Sequence, residues 1–242
     1  MAGEELYQLG RIVNFDEKSR DYPITAALPR KASLKTKTWL CSQVLDQGRE
    51  GACVGFGCAH ELIAEPVPVR GVTNKLAREL YYAAQRTDQW PGGEYPGATP
   101  RYSGSSVLAG AKVLQEQGYI TEYRWGFGLE DLQMAVSNIG PAVIGVHWYS
   151  NMFRPDANGF IHVTGTVKGG HCILVRGIDV EKQAFLLHNS WGPTWGRNGT
   201  CWISFSDMGK LLAEEGEVMI PMRRQNPVKK ALLKLRRAVL GE

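Results

Sequence analysis

The stretch Asp-Gln-Gly-Arg-Glu-Gly-Ala-Cys (residues 46–53) ends in a cysteine where a helix is predicted to begin. Apolar residues then recur with helical spacing as far as residue 65. Because the first N–H groups of a helix favour an anion, we expect this position and a nearby imidazolium to lower the pKa of the Cys53 thiol. The side-chain amide of Gln47 can reach back and form an oxyanion hole with the Cys53 N–H. The stretch therefore predicts an activated nucleophile.

Two later segments supply the groups that a thiol nucleophile needs. Gly-Gly-His (169–171) opens an apolar run and places His171 at the end of a predicted strand, facing a cleft. His-Asn-Ser-Trp-Gly (188–192) contains Asn189, which can orient the imidazole, and Trp191, which can cover that hydrogen bond. A thiol, an imidazole base and an orienting amide are what attack on a carbonyl requires. The predicted catalytic residues, which we expect to converge and face solvent, are Cys53, His171, Asn189 and Gln47.

Composition and cysteine usage limit the class of protein. A chain of 242 residues with 43% hydrophobic and 21% charged residues is typical of a soluble globular protein. No apolar run approaches the roughly 18 residues of a membrane span, and no secretory signal pattern is present, so we expect a cytoplasmic location at synthesis. The five cysteines are odd in number and lack zinc-ligand spacing. We therefore expect reduced thiols, no metal and no cofactor.

The predicted elements indicate an α+β protein with a mainly helical first half and a mainly β second half. Helices are predicted at 51–65, at 74–86 with Asn74 as N-cap, from Ser105 or Ser106 to 117, and at 129–138. Strands are predicted at 141–148, 159–164, 171–179, 184–189, 200–205 and 217–222. We divide the chain into a lead-in (1–30), a catalytic domain (31–222) with a helical lobe (31–128) and a β lobe (129–222), and a C-terminal helix (223–242).

The C-terminal segment differs from the rest in charge. Residues 223–242 contain seven Lys or Arg residues and one Glu, so the segment carries +6 and the remaining chain −2 of the net +4. Residues 226–240 predict a basic amphipathic helix, which either packs on its own domain or binds a membrane, an acidic protein or an assembly partner. No specific nucleic-acid binding is expected.

Taken together, these motifs resemble the papain-like cysteine peptidases. The Gly-Ala-Cys centre at 51–53 matches the family's signature around the nucleophile. Asn-Ser-Trp-Gly-Pro-Thr-Trp-Gly-Arg-Asn-Gly (189–199) is the most specific match, and the resemblance covers about residues 30–222. It implies a papain-like two-lobe fold, with a helical N-terminal lobe, a β-barrel-like C-terminal lobe and the active site in the cleft between them.

The resemblance also implies where a substrate binds. Gly104 is expected on the cleft wall, offering backbone groups to an extended peptide. Val107, Gly145 and Cys172 are expected to border the main specificity pocket, which favours an apolar residue two before the cut. The residues implied to bind substrate are Gly104, Ser105, Val107, Gly145, Gly170, Cys172 and Trp191.

Departures from the family pattern favour a bacterial or phage type of member. Glu50 stands where the family has a disulfide cysteine, and Val54 stands where it has a bulky aromatic residue. The residues before the domain are too few for the usual helical propeptide, and 16–22 resemble the short lead-in of bacterial and phage members.

Three functions fit the sequence. The first is a cysteine endopeptidase acting on peptides or proteins. The second keeps the chemistry but cuts peptidoglycan stem peptides, as a phage or bacterial lytic enzyme does. The third is a structural or virion component on a papain-like fold with little turnover, and a virion location is also compatible with an active enzyme.

Overall fold

The computed structural model describes residues 7–223, and its helices match the predicted ones closely. The first four lie within two residues of their predicted bounds, whereas α5 has no predicted counterpart. The α-helices in this part of the chain are α1 (Cys53–Ile63), α2 (Asn74–Thr87), α3 (Val107–Glu116), α4 (Leu129–Asn138) and α5 (Phe205–Ala213).

Side-chain caps fix the starts of α2 and α3. Thr73, not Asn74, is the N-cap of α2, and its hydroxyl accepts a hydrogen bond from a first-turn N–H at 3.4 Å. The Asn74 side-chain oxygen instead accepts from the N–H of Asp46 at 3.1 Å. Ser106 caps α3 in the same way as Thr73 caps α2. The Asn74 contact therefore ties α2 to the stretch that leads into α1.

The strands form one antiparallel sheet in the order β2-β7-β3-β4-β5-β6, with β1 paired to β4. The sheet does not close, so the β-barrel-like part of the expectation is corrected to an open sheet. The strands in the described residues are β1 (Lys37–Thr38), β2 (Ile120–Gly126), β3 (Ala142–Tyr149), β4 (Val167–Asp179), β5 (Ala184–His188), β6 (Thr200–Ser204) and β7 (Glu217–Arg223).

The sheet separates two hydrophobic cores, as the alternation of side chains along its strands requires. In β3, Val143 packs with α1, α2 and α3 on one face, and Ile144 packs with α4 and α5 on the other. In β4, Leu174 packs in the first of these cores and Ile173 in the second. All eleven residues of α1 are buried, because it lies between the other helices and the sheet.

Two predictions about strands were wrong. Residues 159–164 make only an isolated bridge from Phe160 to Trp202, because Asp156 holds this segment in a turn by accepting the Phe160 N–H at 2.9 Å. Strand β2 was not predicted, since its residues Ile-Thr-Glu-Tyr-Arg-Trp-Gly alternate poorly between polar and apolar. It pairs with β7, so the predicted lobes share one sheet, and the boundary between them stays a prediction.

The sheet and α1 together position the predicted site. Strand β4 packs directly on α1, so that the first residue of the helix meets the strand that carries His171. The predicted basic helix lies outside the described residues, apart from its first position in β7. Across residues 7–223, no helix is long and apolar enough to cross a bilayer, and no group of His, Cys, Asp or Glu is arranged to hold a metal ion.

Candidate active site

Cys53 is the first residue of α1, and its side chain is buried against β4. Its Sγ accepts a hydrogen bond from the N–H of Cys172 at 3.3 Å. Cys172 follows His171, so the thiol lies beside the backbone of the predicted base. Helix packing against the sheet therefore brings together two segments that are more than one hundred residues apart.

His171 is held by a carboxamide, as predicted. Its Nε2 lies 2.8 Å from Oδ1 of Asn189, and the same oxygen accepts the N–H of Ser190 at 2.8 Å. Since Oδ1 accepts a backbone proton, the amide orientation is fixed and Nε2 carries the imidazole proton. Within the described residues, the other ring nitrogen, Nδ1, has no hydrogen-bond partner. The geometry thus leaves Nδ1 as the basic nitrogen.

His171 lies inside β4 rather than at the strand end. Strand β4 begins four residues before His171, because Gly169 and Gly170 pair with Trp148 and His147 of β3. The strand end was predicted from the two glycines, which mark a boundary in many sequences. In this protein, Gly169 and Gly170 are part of strand β4 and keep their pairing with β3.

Indole rings cover the imidazole. Trp191 stacks on His171 with 4.6 Å between ring centroids, and Trp148 meets it edge to face at 4.8 Å. The stacked ring agrees with the prediction that Trp191 excludes water from the His171–Asn189 hydrogen bond. Imidazole and carboxamide are both fully buried.

The Gln47 side chain is fixed by the segment that carries Asn189. Its Oε1 accepts a hydrogen bond from the Ser190 hydroxyl at 2.6 Å, and its backbone N–H donates to the Ser190 carbonyl at 2.8 Å. Its Nε2 donates to the carbonyls of Glu50 at 2.8 Å and Gln8 at 3.2 Å. Ser190 was not predicted as a site residue, yet it determines which way the Gln47 amide faces.

Residues 7–12, which we call the covering segment, lie across this cluster. Tyr7 stacks on Trp191, with 4.7 Å between centroids. The N–H groups of Gly10 and Arg11 both donate to the Gly170 carbonyl, at 3.0 and 2.9 Å. Gly10 passes so close to the Gly51 carbonyl that a Cβ there would collide with it. The prediction that the site is open to solvent is therefore wrong for this state of the chain.

Ser105, rather than Gly104, supplies the main-chain pairing on the cleft wall. The Ser105 N–H donates to the Gly10 carbonyl at 2.8 Å, and its carbonyl accepts the Ile12 N–H at 2.9 Å. The backbone of Gly104 is occupied elsewhere, since its N–H donates to the Tyr81 hydroxyl at 2.8 Å and its carbonyl accepts from Nε2 of Gln85 at 3.0 Å. Gly104 nevertheless touches the covering segment, because a Cβ there would lie 2.6 Å from the Gly10 carbonyl oxygen.

The residues predicted to border a specificity pocket come together around the Arg11 side chain. A Cβ on Gly145 would lie 2.7 Å from Val107, 2.8 Å from Nε of Arg11 and 3.0 Å from Oε2 of Glu217. Arg11 therefore enters the space that the missing side chain leaves, and Glu217 lies at its inner end. Cys172 pairs with Gly145 in the ladder, and its sulfur packs towards α1.

Burial sets the charge state of the thiol and the imidazole. It raises the pKa of Cys53 to about 12, although the N–H groups of Cys172, Gly10 and Val54 oppose the shift. Burial lowers the pKa of His171 to about 4, with the Asn189 hydrogen bond opposing. The predicted lowering of the thiol pKa is thus wrong for the covered site, because the covering segment excludes water from both groups.

Sequence reasoning missed the covering segment, Arg11 and Glu217. Arg11 and Glu217 are 206 positions apart, and each is a single charge with the ordinary appearance of a surface residue. One weak signal was present: Glu217 begins an otherwise apolar run that forms β7.

The helix that begins at Cys53 packs on a sheet that carries His171, and Asn189 directly follows strand β5, which is the arrangement that the resemblance to papain-like peptidases implies. The solved structure of xylellain, a cysteine protease from Xylella fastidiosa, shares the fold with a TM-score of 0.65 and 20% identity over 91% of this chain and 97% of that one. The family described as papain family cysteine protease matches residues 82–219. This chain belongs to the papain family of cysteine proteases.

Curated relatives match over shorter or more divergent stretches. A cathepsin B-like cysteine proteinase of Schistosoma japonicum is 33% identical over 70 residues, which are 28% of this chain and 20% of that protein. A gut-specific cysteine proteinase of Caenorhabditis elegans is 24% identical over 226 residues, covering 73% of this chain and 68% of that protein. The matches to the first curated relatives thus span only 20–28% of their length.

Proposed function

We propose that this protein is a cysteine endopeptidase in which Cys53 is the nucleophile and His171 the general base and acid. The observation that carries the proposal is the Asn189-oriented imidazole next to a thiol at the start of a helix. Asn189 holds the proton-bearing Nε2, which leaves Nδ1 available to the thiol. Family membership supports the same reaction, hydrolysis of peptide bonds.

Proton transfer follows from these charge states. In the resting site the thiol and the imidazole are neutral, so Nδ1 of His171 accepts the thiol proton as Cys53 attacks the peptide carbonyl. The imidazolium then donates that proton to the leaving amine. Water, activated by the same nitrogen, hydrolyses the thioester and restores the thiol.

Gln47 is proposed to stabilise the oxyanion together with the N–H of Cys53. The support is a backbone carbonyl already bound there, since the oxygen of Gln8 lies 3.2 Å from Nε2 of Gln47. Ser190 and Glu50 hold the amide in place beforehand, so its dipole need not reorganise during the reaction.

The covering segment occupies the cleft with the chain direction opposite to that proposed for a substrate. In a substrate, the residue in the Val107–Gly145 pocket precedes the bond that is cut. Here Arg11 fills that pocket, but it follows Gln8, whose carbonyl lies at Gln47. We propose that this state is a closed form and that substrate enters when the covering segment is displaced.

A peptide-library digest with mass-spectrometric mapping of the cuts tests the function. The full chain and its Arg11→Ala variant are each compared with a partner in which Cys53 is also replaced by alanine. We expect cleavage that depends on Cys53 and is faster with Arg11→Ala. A parallel digest of purified cell walls tests the peptidoglycan alternative. Cleavage of wall peptides alone, or of neither substrate by either folded protein, would contradict the proposed endopeptidase.

A further inference from the structure

The covering segment is anchored by a fully buried ion pair. Nε and Nη2 of Arg11 lie 2.8 and 2.7 Å from Oε2 of Glu217, and the two side chains are 0% and 1% exposed. Nη2 also donates to the backbone carbonyl of Glu215. Hence one guanidinium is bound by two acceptors that are two residues apart at the start of β7.

The pocket around this pair is shaped for a long side chain with a cationic end. Val107 and the glycine at 145 form its walls, and the absent Cβ at 145 makes room for the Arg11 stem and guanidinium. The wall is apolar, whereas the inner end carries the Glu217 carboxylate and the Glu215 carbonyl. An aliphatic chain fits the wall, and a cationic end pairs with Oε2 of Glu217 and the Glu215 carbonyl at the inner end.

The carboxylate remains when the covering segment leaves. Glu217 belongs to β7, at the centre of the sheet next to β3, whereas Arg11 belongs to a segment that must move before substrate binds. Removing one partner of a buried ion pair leaves an uncompensated charge and is strongly unfavourable. Burial already raises the pKa of Glu217 to about 7, against the opposing effect of Arg11. A substrate cation that replaced Arg11 would restore the pairing.

We propose that Glu217 is the specificity-determining residue of this pocket and that the preferred substrates place an arginine side chain in it. Arg11 is the chain's own occupant of the subsite. The proposal rests on the proposed peptidase function and replaces the expected preference for an apolar residue. Arginine is preferred over lysine because a guanidinium reaches both Glu217 and the Glu215 carbonyl, as Arg11 does.

A binding experiment tests the subsite without using turnover. Arg11→Ala in the full chain leaves a cavity that n-propylguanidinium can fill. We expect about 10 mM of this cation to raise the Tm of Arg11→Ala by about 2–4 °C relative to KCl at equal ionic strength. The double variant Arg11→Ala/Glu217→Gln should show no such rise. Arg124→Ala, which breaks a more exposed arginine pair on β2, is the matched control and should show none either.

Two outcomes of the Tm assay would overturn the proposed arginine subsite. An equal rise in Arg124→Ala, or a rise that survives Glu217→Gln, would show that the cation does not bind at Glu217. If Arg11→Ala does not fold, Arg11→Met fills the same space without charge. Arg11→Met should then show a higher Tm in combination with Glu217→Gln than alone, and the reverse order would overturn the proposal.

Kinetics with matched peptides test the specificity itself. Three peptides differ only in Arg, Lys or Leu at the residue two before the cut, and Arg11→Ala is the enzyme. We expect kcat/KM for the Arg peptide to exceed that for the Leu peptide by at least about 100-fold, with Lys between. Glu217→Gln should reduce this ratio to within about tenfold, and Glu217→Asp should keep part of it.

Cleavage with no preference, or with a Leu preference, overturns this inference but supports the peptidase. No cleavage of any peptide contradicts the peptidase, and the Tm assay still decides the subsite.

Discussion

Among residues 7–223, Cys41 and Cys53 both lie near a histidine, but the two regions differ in what surrounds the thiol. Sγ of Cys41 lies 3.8 Å from Nε2 of His188, which is a hydrogen-bonding distance for sulfur. Cys53 makes its contact with the backbone beside His171 instead. A short sulfur–nitrogen distance therefore does not by itself identify a catalytic pair.

The hydrogen bonds around each imidazole account for the difference. Nε2 of His188 also lies 3.0 Å from the Gln43 carbonyl oxygen. The ring nitrogen nearest to Cys41 is therefore hydrogen-bonded to the backbone. His171 uses Nε2 for Asn189 and keeps Nδ1 without a partner among residues 7–223. Nδ1 of His188 likewise has no partner in the described residues, so the difference lies in the position of the thiol: Cys41 lies at Nε2, to which the Gln43 oxygen is already bound.

Burial affects the two imidazoles alike. It lowers the pKa of His171 and of His188 to about 4 in each case. What separates them is the peptide segment in the cleft, which pairs with Gly170 and Ser105 and puts a carbonyl at Gln47. A peptidase must bind the backbone of its substrate, and the groups at Gly170, Ser105 and Gln47 already bind a peptide backbone here.

The largest expected effect is on turnover when each cysteine is removed. In the Arg11→Ala background, Cys53→Ala should lower kcat by on the order of 10⁵-fold or more, because no nucleophile remains. Cys41→Ala should change kcat by less than about threefold. Release of a fluorescent peptide product measures both. A larger loss from Cys41→Ala than from Cys53→Ala would reverse the assignment of the two regions.

Removal of the oxyanion donor should have the next largest effect. Gln47→Ala should lower kcat by about 100- to 1000-fold with a smaller change in KM, because the lost hydrogen bond forms with the transition state. Gln115→Ala is the matched control, since its amide only donates to the Thr121 carbonyl on the surface. Similar kcat values for the two variants would remove Gln47 from the mechanism.

The smallest effect concerns stability and pH. Burial holds the pKa of His188 at about 4, below its ordinary 6.5, and also lowers the pKa of His60 well below that ordinary value. The folded state therefore binds fewer protons, so that stability present above pH 6.5 is lost as the pH falls towards 4. Each such histidine contributes up to about 1.4 kcal/mol per pH unit, while Glu217, with its raised pKa, opposes the trend.

Urea denaturation at pH 7, 6 and 5 measures this slope. The variant His188→Gln should lose stability on acidification by about 1 kcal/mol per pH unit less than the unsubstituted chain. Equal slopes in the two proteins would show that His188 does not become charged on unfolding and is not buried as described.

Local patterns made the predicted catalytic residues visible in the sequence. Cys53 follows small residues at a helix start, and Asn189 heads a run containing Trp191, which stacks on His171, and Trp195, which packs against Trp191. These features lie within a few positions of each residue. The four main helices were predictable for the same reason, since capping and periodicity are local.

The closed state depends on contacts that no local pattern contains. Residues 7–12 read as irregular chain because their backbone hydrogen bonds go to residues 105 and 170, far away in sequence. The pairing of Arg11 with Glu217 likewise arises only when the sheet brings β7 beside β3. Strand β2 escaped prediction for a local reason, since its polar and apolar residues alternate poorly.

Site-resolved alkylation of the folded protein tests most directly whether Cys53 is a reactive thiol closed off by residues 7–12. Iodoacetamide labelling at neutral pH, mapped by mass spectrometry, is compared between the full chain and Arg11→Ala. We expect the half-exposed Cys41 to react before Cys53 in the unsubstituted chain, and Cys53 to react at least about tenfold faster in Arg11→Ala while Cys41 keeps its rate. Equal Cys53 rates in the two proteins would contradict the account.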